Sequence, residues 1–208
     1  MHEFVLNKPK ALNAVDTEMC QMMSDKLLEW HKKPDTAPRL MMMRGAGGKS
    51  FCAGGDIVTI YNSKQKGAPL SELLHFFGTE YILDYSLSQM QSVDRIALWN
   101  GIVMGGGVGL TWHAPIRIAT EKSMYAMPET AIGFFTDVGG SYFLPRIKNG
   151  DISLGLYLGL SGTRVKSRDL VKYGLATHFV PEDNLEHMME ALQEKVTKES
   201  THAQIEKI

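Results

Sequence analysis

The sequence predicts an α/β fold in which parallel strands are joined by helical crossovers. Three observations carry that prediction. Short apolar runs alternate along the 208 residues with stretches of helical periodicity. The glycine clusters Ala53-Gly54-Gly55-Asp56 and Gly105-Gly106-Gly107 each follow a predicted strand, the end at which open α/β sheets bind ligands. The composition, 44% apolar and 22% charged, belongs to a chain that buries a core, and its length fits one domain or a domain with an appendage.

The elements follow in order. Residues 7–13 read as a strand end and turn. Asp16 reads as the N-cap of a helix with Met19, Met22, Met23, Leu27 and Trp30 on one face. Pro34 and Pro38 stop it, and the apolar run 39–44 suits a buried strand. Gly45-Ala46-Gly47-Gly48 and Ala53-Gly54-Gly55-Asp56 frame a loop with a strand-like piece between them. A helix fills 70–91, with Leu73, Leu74, Phe77, Tyr81 and Leu87 as its core side. A strand at 95–100 leads into the second glycine cluster and a short helix ending near His113. Strands at 116–119 and 123–127 precede a turn at Pro128. Helices are predicted around 142–146, 152–160 and 168–173, then a strand at 177–180 and a polar helix from about Glu182.

Composition excludes several classes. With 22 Lys+Arg against 23 Asp+Glu the net charge is −1, so no nucleic-acid partner is expected and no membrane attachment by charge. The most apolar stretch, 101–112, is rich in glycine and too short to span a bilayer. Cys20 and Cys52 make no disulfide framework, which points to a reducing compartment. Met1-His2-Glu3-Phe4 shows no transit peptide or secretory signal. Seven histidines are scattered without metal-ligand spacing, so no metal is expected. Cys52 has no implied histidine partner and reads as a buried, inert thiol.

A strand–Gly-Gly–helix junction can turn bare N–H groups outward, and two such junctions can aim them at one oxygen. The plainer alternative is tight turns and close helix–strand packing. Phosphate cradling is disfavoured: Gly105-Gly106-Gly107-Val108-Gly109 lacks the dinucleotide spacing, and Gly48-Lys49-Ser50 precedes a strand rather than a helix.

Four segments together resemble the crotonase (enoyl-CoA hydratase/isomerase) superfamily. Ser50-Phe51-Cys52-Ala53-Gly54-Gly55-Asp56 resembles its first oxyanion segment, and the run from Asn100 to Gly109 its second. Asn7-Lys8-Pro9-Lys10-Ala11-Leu12-Asn13 is similar to its opening turn. Ser161-Gly162, Arg168-Asp169 and Gly174-Leu175 resemble a later helix-pair signature. Within the superfamily, Tyr125-Ala126-Met127-Pro128-Glu129-Thr130-Ala131-Ile132-Gly133 and the block through Arg146 resemble the branch that hydrolyses 3-hydroxyisobutyryl-CoA.

The resemblance implies a ββα spiral core over residues 1–181 and a helical remnant over 182–208, without most of the family's C-terminal helical region. It implies an oxyanion hole from the backbone N–H groups of Gly55 and Gly106. Glu129 is then the principal catalytic carboxylate, Asp137 assists, and Glu80 binds substrate. Two carboxylates in one site push their pKa values apart, so one serves as base while the other positions or donates. Glu129 either activates water or attacks the thioester directly. Hydratases of the superfamily carry a second glutamate where this chain has Gly109, which disfavours hydration. Thr136 replaces a proline usual in the branch, removing a fixed φ ahead of Asp137. Lys8, Lys10 and Arg44 are candidates for CoA phosphates or for plain surface roles.

The resemblance thus implies hydrolysis of a 3-hydroxyacyl-CoA, a step of valine degradation, in mitochondria. It calls for no cofactor, CoA being part of the substrate, and leaves room for a homo-oligomer. Two alternatives stay open: a truncated, catalytically silent CoA-binding or interaction module, and an enoyl-CoA hydratase or isomerase.

Overall fold

In a computed structural model, residues 1–197, 200 and 202–208 are described. The first half of the chain forms β1 (His2–Leu6), α1 (Thr17–Lys32), β2 (Leu40–Gly45), β3 (Ser50–Cys52), α2 (Ile57–Gln65) and α3 (Leu70–Gln89). Next come β4 (Asp94–Trp99), β5 (Ile102–Met104), α4 (Gly106–Trp112), β6 (Ile116–Ala119) and β7 (Met124–Ala126). The chain closes with α5 (Gly140–Phe143), α6 (Ile152–Ser161), β8 (Val165–Lys166), α7 (Asp169–Lys172), β9 (His178–Phe179), α8 (Leu185–Lys195) and α9 (His202–Ile205).

The strands divide between two sheets. One has the order β1-β2-β4-β6-β9 and is parallel throughout. The other has the order β3-β5-β7-β8 and is parallel except for its last pair. Successive strand pairs β2-β3, β4-β5 and β6-β7 give one strand to each sheet before the chain turns into helix. This is the spiral of repeating ββα turns, and the expected α/β class holds. The first turn is marked by the Val15–Gly55 bridge, where a single residue takes the place of a second strand.

Burial on both faces explains the apolar runs of the first sheet. In β2, Met41 and Met43 join the main core while Leu40 and Met42 face the other way. In β4, Ala97 and Trp99 face the core, and Ile96 and Leu98 the opposite side. Side chains alternate with period two, so a strand covered on both sides reads as continuous apolar sequence. The outer cover comes from the C-terminal segment, through Leu185, Met188, Met189, Leu192 and Ile205.

Three expectations need correction, and one helix has no counterpart among them. The final segment forms two helices rather than one, and its apolar stripe is packed rather than polar all round. Helix α2 was not predicted: its Val58 and Tyr61 are 65% and 63% exposed and none of its residues is buried, so no amphipathic pattern announces it. Its start is set by Asp56, whose side chain accepts from Thr59 N. On α1, Met22 is exposed, and the buried stripe is Cys20, Met23, Leu27 and Trp30. On α3, Leu74 is exposed, while the buried face carries Leu73, Phe76, Glu80, Leu83, Asp84 and Leu87. Two carboxyl groups thus lie on the inner face while the apolar Leu70, Leu74 and Ile82 face outward.

Asp16 caps α1 as expected, accepting from Met19 N at 2.9 Å. Among the described residues no helix is long and apolar enough to cross a membrane.

Candidate active site

Strands β3, β5 and β7 are neighbours and parallel, so their carboxyl ends lie along one edge of the second sheet. The segments that follow them are Ala53–Asp56, Gly105–Gly106 and Met127–Glu129, which meet for that reason. A Cβ built on Gly54 would lie 3.5 Å from Met104 O and 3.9 Å from Gly106 N, and one on Gly106 would lie 3.3 Å from Gly55 N. Gly54 and Gly105 hold φ of 105° and 46°, backbone conformations that favour glycine.

Both N–H groups of interest are free. Gly55 N donates to no acceptor among the described residues. Gly106 opens α4, where the first N–H groups have no carbonyl within the helix to receive them. The sequence-predicted pair therefore sits side by side with its donors unspent.

Carboxyl groups surround the pair. Glu129 follows Pro128 at the start of a 3₁₀ turn, Glu129–Ile132, and is 7% exposed. Its Oε1 stands 2.7 Å from where a Gly105 Cβ would be, and its Oε2 has no hydrogen-bond partner. Glu80 enters from α3, 2% exposed, with Oε1 unpartnered and occupying the space of a Gly106 side chain. Asp137 accepts a 2.6 Å hydrogen bond from the Tyr81 hydroxyl.

Burial sets the protonation of these groups. It pushes the Glu129 carboxyl up to about 7, with the Asp137 charge adding to the rise. It pushes Glu80 up to about 8, helped by the charges of Asp137 and Glu129. Asp137 is also raised by burial, while the Tyr81 hydroxyl pulls it back. Burial thus raises all three carboxyls, and their mutual charge keeps them from ionising together.

Two groups here were not singled out as functional in the sequence. Tyr81 had been read as a core residue, but its hydroxyl holds Asp137. Asp84 is 8% exposed with neither carboxyl oxygen paired, and Oδ2 lies 2.6 Å from where a Gly109 Cβ would be. Acidic residues four apart amid Phe76, Leu83 and Leu87 are the signal that could have found it.

Three peripheral candidates are spent elsewhere or inert. Lys8 pairs with Asp16 at 2.9 Å and Asp56 at 2.7 Å, and Arg44 pairs with Glu3 at 2.9 Å. Burial pushes the Cys52 thiol up to about 12, far from a thiolate. Thr136 donates a 2.8 Å hydrogen bond to Gly159 O, tying the loop before Asp137 to α6 in place of a proline's fixed φ.

A spiral of ββα turns, with free amides and buried carboxyls gathered at one sheet edge, defines a crotonase-type α/β protein. The chain belongs to the enoyl-CoA hydratase/isomerase family, whose model matches residues 1–208. It is 48% identical over 185 residues to the mitochondrial 3-hydroxyisobutyryl-CoA hydrolase of Rattus norvegicus, covering 89% of this chain and 46% of that one. To the Homo sapiens protein of the same name it is 47% identical over 190 residues, covering 90% and 46%. It is also similar to the crystal structure of a carnitinyl-CoA dehydratase from Mycobacterium thermoresistibile, with a TM-score of 0.83 and 33% identity, over 99% of this chain and 56% of that one. The chain spans about half the length of the curated relatives it matches.

Proposed function

We propose that this chain hydrolyses a 3-hydroxyacyl-CoA thioester, with 3-hydroxyisobutyryl-CoA the first substrate to try. One observation carries the reading: a buried Glu129 carboxyl with an unpartnered oxygen stands beside the free N–H groups of Gly55 and Gly106. A thioester carbonyl gathers negative charge on oxygen when attacked, and two fixed N–H donors stabilise that charge.

Glu129 takes a proton from water as the water oxygen bonds to the carbonyl carbon. The resulting oxyanion rests on the two amides. Its collapse breaks the carbon–sulfur bond, and the departing CoA thiolate takes the proton that Glu129 holds, which restores the carboxylate. A carboxyl near 7 is partly ionised at neutral pH and still basic enough to help. Direct attack by Glu129, giving an anhydride that water then opens, uses the same groups. Asp137, held by Tyr81, assists at the acyl group, and Glu80 contacts the substrate.

The names of the rat and human relatives support the choice of acyl group. Gly109 supports hydrolysis over hydration, since it offers no carboxyl for a second water contact. The reading requires no cofactor beyond the CoA of the substrate. The relatives' names also support a mitochondrial location, where the reaction would serve valine degradation.

The test is thiol release from a panel of acyl-CoAs, read with a chromogenic thiol reagent. Release from 3-hydroxyisobutyryl-CoA above the other thioesters is expected. CoA binding without release would instead favour a silent binding module, and loss of enoyl-CoA without thiol would favour a hydratase.

A further inference from the structure

Helix α3 places Glu80 and Asp84 one turn apart on its buried face, and α4 presents Gly106 and Gly109 one turn apart opposite them. The two ladders match. A Cβ on Gly106 would overlap Glu80 Oε1, and one on Gly109 would lie 2.6 Å from Asp84 Oδ2 and 2.6 Å from Val138 Cβ. Each missing side chain of α4 leaves a slot that a carboxyl of α3 enters. Both Asp84 oxygens and Glu80 Oε1 are buried without a hydrogen-bond partner, and neither residue has a cation in ion-pair range among the described residues. Unsatisfied buried carboxyls oppose folding, so a bound polar group that satisfied them would relieve that cost.

We infer that Asp84 is a specificity-determining residue of the acyl pocket, its carboxyl acting with that of Glu80 to bind the hydroxyl of a hydroxyacyl thioester. The inference rests on the thioester reading above for the placement of the carbonyl at Gly55 and Gly106. From that point the hydroxyl of a 3-hydroxyacyl group lies three covalent bonds beyond the carbonyl carbon. Gly109 lies about 4.5 Å further along α4 than Gly106, a rise comparable with the span of three covalent bonds. The chemistry matches as well. Two buried carboxyls that feel each other's charge do not both ionise, so one keeps its proton to donate while the other accepts. A hydroxyl is both acceptor and donor. Burial and the charges of Glu80 and Asp137 raise Asp84 well above the usual carboxylate range, in keeping with a retained proton.

The experiment uses the full chain and two non-hydrolysable thioether analogues, in which a methylene separates the CoA sulfur from the carbonyl of a 3-hydroxyisobutyryl or an isobutyryl group. Binding is measured by calorimetry. The wild type is expected to favour the hydroxylated analogue at least tenfold, the scale on which a buried polar group left unpaired is felt. Asp84→Leu is expected to abolish that preference while changing affinity for the isobutyryl analogue less than about threefold. Asp84→Asn, which keeps a donor and an acceptor, is expected to retain part of it. Gly109→Ala is expected to weaken the same preference with the Asp84 residue itself unaltered, because its Cβ crowds both the Asp84 carboxyl and Val138 Cβ. Equal affinity of the wild type for both analogues overturns the inference, as does a preference that survives Asp84→Leu or an equal loss for both analogues. Hydroxyl-dependent binding that vanishes in Asp84→Leu, in a protein releasing no thiol from the matching thioester, sinks the hydrolase reading and upholds the role of Asp84.

Discussion

Replacing Glu80 with glutamine probes the electrostatics of the candidate site without requiring turnover. The Glu80 carboxyl is 2% exposed, its Oε1 has no partner, and burial raises it from 4.5 to about 8. Between those values the native state holds a proton that the unfolded state has released. A raised carboxyl therefore contributes stability that is complete below 4.5 and lost as pH rises through 8. From pH 5 to pH 8 the loss from this one group is about 3–4 kcal/mol, taking 1.36 kcal/mol for each unit of difference in proton affinity. Glutamine keeps the shape and cannot ionise. Urea unfolding at pH 5, 6, 7 and 8 should show the wild type losing stability relative to Glu80→Gln by that amount, with most of the change above pH 5. Parallel stability curves, or a wild type that gains on the variant as pH rises, would refute the assigned burial and the raised carboxyl together.

Two further predictions concern the loop that carries Asp137. Tyr81→Phe removes the hydroxyl whose hydrogen bond pulls the Asp137 carboxyl down, so the Asp137 titration followed by carbon-detected NMR should move upward, and an unmoved titration would contradict the hydrogen bond. Thr136→Val deletes the tie to Gly159 O and should cost about 1 kcal/mol, a fall in Tm of roughly 2–4 °C by calorimetry; an unchanged Tm would show that the loop is held by other contacts.

The sequence exposed most of the α/β spiral because its strands are buried on both faces and its glycines fall at strand ends. The run 39–44 and the cluster 105–107 were legible on those grounds. Helix α2 was not, since a helix with no buried residue leaves no periodic trace. Of the site, the glycine segments and Glu129 could be read from local pattern and resemblance. Nearness was another matter: only the parallel order β3-β5-β7 brings their ends to one edge, and strand order is not written in any single segment. The inner carboxyls of α3 were hidden by a rule that usually works. Acidic residues on a helix are assigned to solvent, so Asp84 passed unremarked and the predicted core side included the exposed Leu74.

The proposed hydrolysis depends most directly on the Glu129 carboxyl beside the two amides. Glu129→Gln preserves the side-chain shape and removes the base, so single-turnover thiol release from 3-hydroxyisobutyryl-CoA should fall by about 10²–10⁴ while the thioether analogue still binds. Release at the wild-type rate in that variant would contradict the assignment of Glu129 as the reacting carboxylate.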